Sequence, residues 1–160
     1  MIKIKIIALG KLKEPYLRDA VKEYEKRLSR FCSLQITELE PERLPDSPAA
    51  SEIEAALKKE ADIILKNVPE GAVKVALCIE GNQLSSEELT EKIFSLANAG
   101  KGSFVFIIGS SHGLHTTVKN AADIKLSFSK MTFPHQIARI ILLEQVYRAF
   151  QINAGGPYHK

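Results

Sequence analysis

Isoleucine alternates with lysine at the start of the chain, where Ile2, Ile4 and Ile6 flank Lys3 and Lys5 before IIAL runs into Gly10. A period of two predicts a strand ending in a loop, and its lysine-bearing face predicts an edge or partly wet position in a sheet. The period then changes. Over 14–30, Leu17, Ala20, Val21, Tyr24 and Leu28 are spaced as on one face of an amphipathic helix, with Pro15 tolerated in the first turn. Residues 34–39 alternate again as a strand. PERLPDSPAAS, with three prolines, predicts a loop and is the one stretch suited to a mobile flap. Ser47 before Pro48 predicts a helix start, and Ile53, Leu57, Ala61, Ile64 and Leu65 share one face up to Asn67.

Residues 72–79 read as a strand. Ser85 with Glu88 three residues on predicts a capping box for a helix through Leu89, Ile93, Leu96 and Ala97, closed by 98–102. FVFIIG, 104–109, is the most uniformly apolar run, as a central parallel strand buried on both faces requires. A short helix near 115–120 and a strand over 124–128 follow. Thr132 and Pro134 then open a long helix to about Asn153, carrying Ile137, Ile140, Ile141, Leu143, Val146, Tyr147 and Phe150. Strand and helix alternate without repeat or linker, which predicts a single α/β domain over 1–160 with a mainly parallel sheet flanked by helices.

Composition adds little until it is divided. Hydrophobic residues are 45% and charged residues 26% of the 160, which excludes a disordered or low-complexity chain. The net charge of +3 conceals +5 over 1–30, −7 over 31–100 and +5 over 101–160. All four histidines, His112, His115, His135 and His159, lie in the last basic segment. A polyanionic partner is therefore expected to approach the two ends of the sequence. Cys32 and Cys78 have no second ligand at metal spacing and read as buried free thiols, so no metal site is expected. The lysine-interrupted start is not a signal peptide, and no apolar run spans a membrane; a cytoplasmic protein is the expectation.

Ligands of open parallel sheets bind beyond the carboxyl ends of the strands. The candidates are LCIEG (77–81), IIGSSHGL (107–114) and LSFSKMTFPHQ (126–136). Gly109 and Gly113 would let backbone approach a ligand, but neither a GxGxxG fingerprint nor a GxxxxGK[ST] loop is present, which disfavours nucleotide phosphate. Phe128, Met131 and Phe133 either line a pocket for a flat ring or plug the core below the last helix. GGPYHK places Tyr158, His159 and Lys160 after a flexible glycine pair, either as a disposable tail or as one that reaches into a site.

The array LCIEG, FVFIIGSSHG and LSFSKMTFPHQIARIILLEQVYRAFQINAGGPYHK resembles, over essentially the whole chain, a bacterial methyltransferase family of the SPOUT class that methylates N3 of a pseudouridine in large-subunit ribosomal RNA. The resemblance implies S-adenosylmethionine as methyl donor, a trefoil knot and a homodimer with cofactor sites at the subunit interface; because 160 residues offer little surface with which to select one nucleotide, the ribosomal RNA target is expected to be recognised within the ribosome. The knot rests on the resemblance alone, since threaded chains are nearly absent from proteins. Carried over by motif, Leu77, Gly109 and Phe128, Ser129, Lys130, Met131, Thr132 and Phe133 are the expected cofactor contacts.

Methylating an imide nitrogen requires removal of one proton. His159 is the residue suited to accept it and Tyr158 to stack on or hydrogen-bond the flipped base. Arg139, Arg148 and Lys160 are the expected substrate contacts, with interface packing or an ion pair to Glu144 as the competing role for the two arginines. His135 is expected to cap or pack, and His112 and His115 to be surface or loop residues. Ser110 stands where the family mostly has a second glycine, and a positive φ there would strain the loop. The competing function is a non-enzymatic RNA-binding or ribosome-assembly protein. A hydrolase based on His159 lacks a nucleophile, since no GxSxG elbow occurs and neither cysteine is expected to be exposed.

Overall fold

The computed structural model describes residues 1–159. Its elements alternate as the hydrophobic pattern predicts: β1 (Ile2–Leu9), α1 (Pro15–Leu28), β2 (Cys32–Leu39), α2 (Ala50–Lys66), β3 (Val73–Gln83), α3 (Ser86–Asn98), β4 (Ser103–Ile108), α4 (Thr116–Ala121), β5 (Ile124–Ser127) and α5 (His135–Asn153). The sheet order is β2-β1-β4-β3-β5, and every pairing between these strands is parallel. β4 is the middle strand, and Phe104 to Ile108 are all buried.

Alternate residues of the strands face two separate cores. Ile4, Ile6, Phe104 and Phe106 pack with Leu142, Val146 and Phe150 of α5 and with α1 and α3, whereas Ile7, Leu9, Val105 and Ile107 pack with Ala61 and Ile64 of α2 and Val118 of α4. Helices thus cover both faces, the arrangement that an all-parallel sheet requires.

Two expectations fail. β1 is an interior strand between β2 and β4, not an edge. Its lysines are tolerated because Lys3 is exposed and the Lys5 ammonium donates to the carbonyl of Asn67 at 2.8 Å. The second helix begins at Ala50 and not at Ser47, because Glu52 reaches back to the amide of Ala49 at 3.1 Å. The cap at Ser85 is as expected, with Glu88 N–H donating to Ser85 Oγ at 3.0 Å and Ser85 N–H to Glu88 Oε2 at 2.7 Å.

The irregularity that matters for function lies in β3. Val75 to Leu77 pair with 124–126 of β5, and then Asn82 and Gln83 pair with Leu126 and Ser127. Residues 78–81 therefore leave the ladder and return to it. Gly81 rests against the backbone of Lys125, where a Cβ would lie 2.7 Å from the carbonyl carbon.

Candidate active site

Three strand ends enclose a cleft of about 880 Å³: the detour 77–80 of β3, the 108–114 loop after β4, and 126–134 after β5, closed by His135, Gln136 and Ala138 of α5. The volume lies in the roughly 300–1,000 Å³ range of small-molecule sites. Leu77, Gly109, Phe128, Ser129, Met131, Thr132 and Phe133 all line it. Lys130, the remaining residue of the expected cofactor set, is exposed and is not part of the wall.

Each loop is held by its own bonds. Ser127 Oγ donates to the carbonyl of Ser129 at 3.0 Å, and the amide of Met131 donates to Ser129 Oγ at 3.0 Å, which folds FSKM into a tight turn. Met131 is left 73% exposed, so this methionine rims the cleft and does not plug the core. In the glycine loop, Gly113 has φ +85° and its amide donates to the Ser110 carbonyl at 2.9 Å. A Cβ on Gly109 would lie 2.3 Å from the Gly113 carbonyl oxygen, so glycine is required there by the folded-back loop itself. Among the described residues none but glycine has positive φ, so Ser110 carries no backbone strain.

Ser110 instead reveals a residue that the sequence reading missed. Its hydroxyl donates at 2.9 Å to Glu60 Oε1, while Glu60 Oε2 accepts the amide of Glu42 at 2.9 Å. Glu60 is 4% exposed and sits on the apolar stripe of α2, in register with Ile53, Leu57 and Ile64. An acid at a core-facing helical position was the available signal. This carboxylate joins the proline-rich 41–48 loop to the loop after β4, so the expected flap is tied at one point.

The electrostatics of the cleft are modest. The Lys119 ammonium is paired with Glu80 and, as its hydrogen-bond donor, holds that carboxyl below its usual range. Burial, reinforced by Arg139, pushes the His135 imidazole below its ordinary value and favours the neutral ring. Cys78 is half-buried in the wall and not in the core as expected; burial, with Glu80 beside it, raises its thiol pKa, which disfavours the nucleophilic thiolate. His115 is likewise not a surface residue. It is 9% exposed, caps α4 by accepting from the amide of Thr117 at 3.1 Å, and lies 2.6 Å from Glu54 Oε1.

The expected substrate and catalytic residues lie elsewhere in the chain. Arg139 is 2% exposed, paired with Glu38 at 2.5 Å and donating from Nη2 to the Gly10 carbonyl at 3.1 Å. Its guanidinium therefore ties the ends of β1 and β2 to α5 and is not placed to touch RNA. Arg148 pairs with Glu144 and lies 4.8 Å from the centre of the Tyr158 ring. Tyr158 donates to Glu144 Oε2 at 2.8 Å and packs edge-on against Tyr147. Burial and that carboxylate raise the Tyr158 pKa, so the phenol remains a donor. His159 lies 3.2 Å from Arg148 Nη1 through Nδ1 and 2.6 Å from Glu87 through Nε2. Arg148 can only donate, so Nδ1 accepts and Nε2 carries the proton in this arrangement. Lys160 lies outside the described residues.

Against this geometry, the signature of the family described as "Predicted SPOUT methyltransferase" matches residues 2–159. The chain belongs to the SPOUT methyltransferase family. It is similar to proteins named ribosomal RNA large subunit methyltransferase H: 52% identical over 157 residues to that of Clostridium novyi (strain NT), spanning 98% of this chain and 99% of the relative. The one from Bifidobacterium adolescentis is 51% identical over 160 residues, spanning 99% and 100%. Among solved structures, one described as a probable methylase family protein from Haemophilus influenzae Rd KW20 superposes with a TM-score of 0.56 over 98% of this chain and 70% of that one. At 15% identity this likeness concerns the fold alone. Among the described residues no cluster of side chains could hold a metal, and no helix is long and apolar enough to cross a membrane.

Proposed function

We propose that this SPOUT methyltransferase transfers a methyl group from S-adenosylmethionine to N3 of a pseudouridine in large-subunit ribosomal RNA, as a homodimer acting on the ribosome in the cytoplasm. The observation that carries the reading is the cleft formed by the 77–80, 108–114 and 126–134 segments, supported by full-length relatives named ribosomal RNA large subunit methyltransferase H. Its walls suit the cofactor chemically. Leu77, Ile108, Leu114, Leu126 and Phe128 provide apolar surface for an adenine ring. The one lysine in the wall, Lys119, is committed to Glu80, so nothing there resembles a phosphate cradle.

When bound, the cofactor supplies an electrophilic methyl group on a sulfonium. The chain's own residues hold both reactants and handle the proton on N3. His159 accepts that proton once it leaves Glu87 and Arg148, and Tyr158, kept protonated, stacks on or donates to the base. Their placement argues that these two residues serve a second copy's cleft. Tyr158 is docked on Glu144, and His159 on Glu87 and Arg148, none of which lines the cleft of the same copy. Exposed Ile79, Phe133 and Ile137 around the cleft provide apolar surface for such a dimer.

The test is methyl transfer from labelled S-adenosylmethionine to free large-subunit RNA, separate subunits and joined ribosomes, with the modified position located by mass spectrometry. Activity on assembled particles and not on free RNA is expected. Absence of methylation on all three, or cofactor affinity indistinguishable from zero by calorimetry, overturns the reading in favour of a non-enzymatic RNA-binding protein.

A further inference from the structure

We propose that the corner between β1 and α1, presenting Lys11, Lys13, Tyr16 and Arg18, is a preformed RNA-docking surface beside the methyl-transfer cleft. The proposal rests on the ribosomal RNA reading above and adds the surface that engages the RNA outside the cleft. The corner is unusually well anchored for a loop. Leu12 is 7% exposed and packs into the core. Arg18 Nη1 donates to the carbonyls of Leu12 at 3.1 Å and Lys13 at 2.7 Å, Arg139 Nη2 donates to that of Gly10, and the Gly10 amide donates to Leu39 at 2.8 Å. Gly10 has φ +99°, and a Cβ there would lie 3.1 Å from the ring of His135, a cleft residue. The corner and the cleft therefore share a wall.

What this anchoring displays is a set of cations and an aromatic ring. Lys11 and Lys13 are exposed and form no ion pair among the described residues. Tyr16 is 68% exposed, whereas Tyr24, Tyr147 and Tyr158 pack together in one edge-on cluster. Between Gly10 and Arg18 the only acid is Glu14, so the corner is locally positive. A rigid, positively charged loop bearing an outward aromatic ring is the combination that grips single-stranded or looped RNA, through phosphate contacts and stacking on a base or sugar. Leaving a tyrosine in water on a fixed corner forfeits its burial for no packing gain within the chain. The lysines neutralise phosphates while the ring accepts an unpaired nucleotide near the target.

The test compares the wild-type chain with Lys11→Ala/Lys13→Ala/Tyr16→Ala for binding to isolated large ribosomal subunits and to joined ribosomes by co-sedimentation over a range of salt, and for methyl transfer. Lys58→Ala/Lys59→Ala on α2 controls for lost charge. Cofactor affinity by calorimetry reports on folding and is expected to be unchanged in all variants. The corner variant is expected to bind particles about tenfold or more weakly. The slope of log affinity against log salt should fall by about 1.5, since each phosphate contact contributes roughly 0.7–0.9. Tyr16→Phe alone should bind as the wild type does. Equal affinity and slope in the corner variant and the wild type overturn the docking surface while leaving methyl transfer standing. An equal loss in the α2 control also overturns it, as a net-charge effect. Conversely, wild-type particle binding that is lost in the corner variant, without methylation by either, supports the surface and overturns the methyl-transfer reading instead. No particle binding by the wild type at any salt overturns the surface as well.

Discussion

Ser110 Oγ and Glu60 Oε1, fifty positions apart in the sequence, meet at 2.9 Å, so a buried carboxylate on α2 holds the loop that follows β4. Replacing Glu60 by Ala removes this bond and the one from the Glu42 amide, and is expected to cost roughly 2 kcal/mol in urea denaturation. It should also weaken S-adenosylmethionine binding, measured by calorimetry. Glu60→Gln should recover most of both, because its amide can donate to a rotated Ser110 hydroxyl while its oxygen still accepts from Glu42.

Gly109→Ala tests the same loop from within. The added methyl would meet the Gly113 carbonyl oxygen at 2.3 Å, so the turn must open. Cofactor affinity is expected to fall about tenfold or more, or 1.4 kcal/mol, with the cooperative unfolding transition retained. Unchanged affinity would show that the loop is not a cofactor wall.

A chain ending at Pro157 loses the Tyr158 bond to Glu144 but leaves the Arg148–Glu144 pair in place. It should remain folded and dimeric and bind cofactor as the full chain does. Methyl transfer should drop by about a hundredfold or more, the scale of a lost proton acceptor. Full activity in this variant would remove Tyr158 and His159 from the mechanism.

Arg139→Met distinguishes an internal tie from an RNA contact. Glu38, 37% exposed, can turn to water, so the expected loss of stability is about 2 kcal/mol and not the larger cost of a stranded buried charge. Thermal or urea denaturation should show the defect before any RNA is added. A stable variant with impaired RNA binding would restore the contact role.

The pH dependence follows from His135. Its folded-state pKa lies below the ordinary value, so the unfolded chain takes up the proton first as pH falls. The stability associated with the neutral ring is present above the unfolded pKa of about 6.5 and is lost as pH falls through the folded value. His135→Asn should flatten this part of the curve of urea midpoint against pH.

Much of the architecture was legible in the hydrophobic pattern, because periods of two and of three to four residues report directly on local structure. The central place of FVFIIG followed from its being apolar at every position, and the Ser85–Glu88 cap from two side chains at fixed spacing. Strand order was not legible in the same way. The lysines of β1 suggested an edge, but their tolerance depends on contacts made across the fold, such as Lys5 to Asn67. The three strand-end loops singled out by motif do line one cleft. The roles of Arg139 and of the 158–159 pair were not legible, since a sequence shows charge and aromaticity but not whether a guanidinium is already engaged by Glu38 or a phenol by Glu144. Glu60 lay in plain view on an apolar stripe and needed only to be read as an exception.

α5 separates the cleft at its first turn from the Tyr158–His159 pair docked along its flank, and on the proposed dimer reading the two would be halves of one site shared between copies. Two impaired chains, one altered at Gly109 and one ending at Pro157, should therefore complement each other when mixed and allowed to exchange subunits, at a cofactor concentration that fills only the intact cleft. Statistical pairing makes half of the dimers mixed, each with one intact composite site, so activity should recover to about a quarter of wild type.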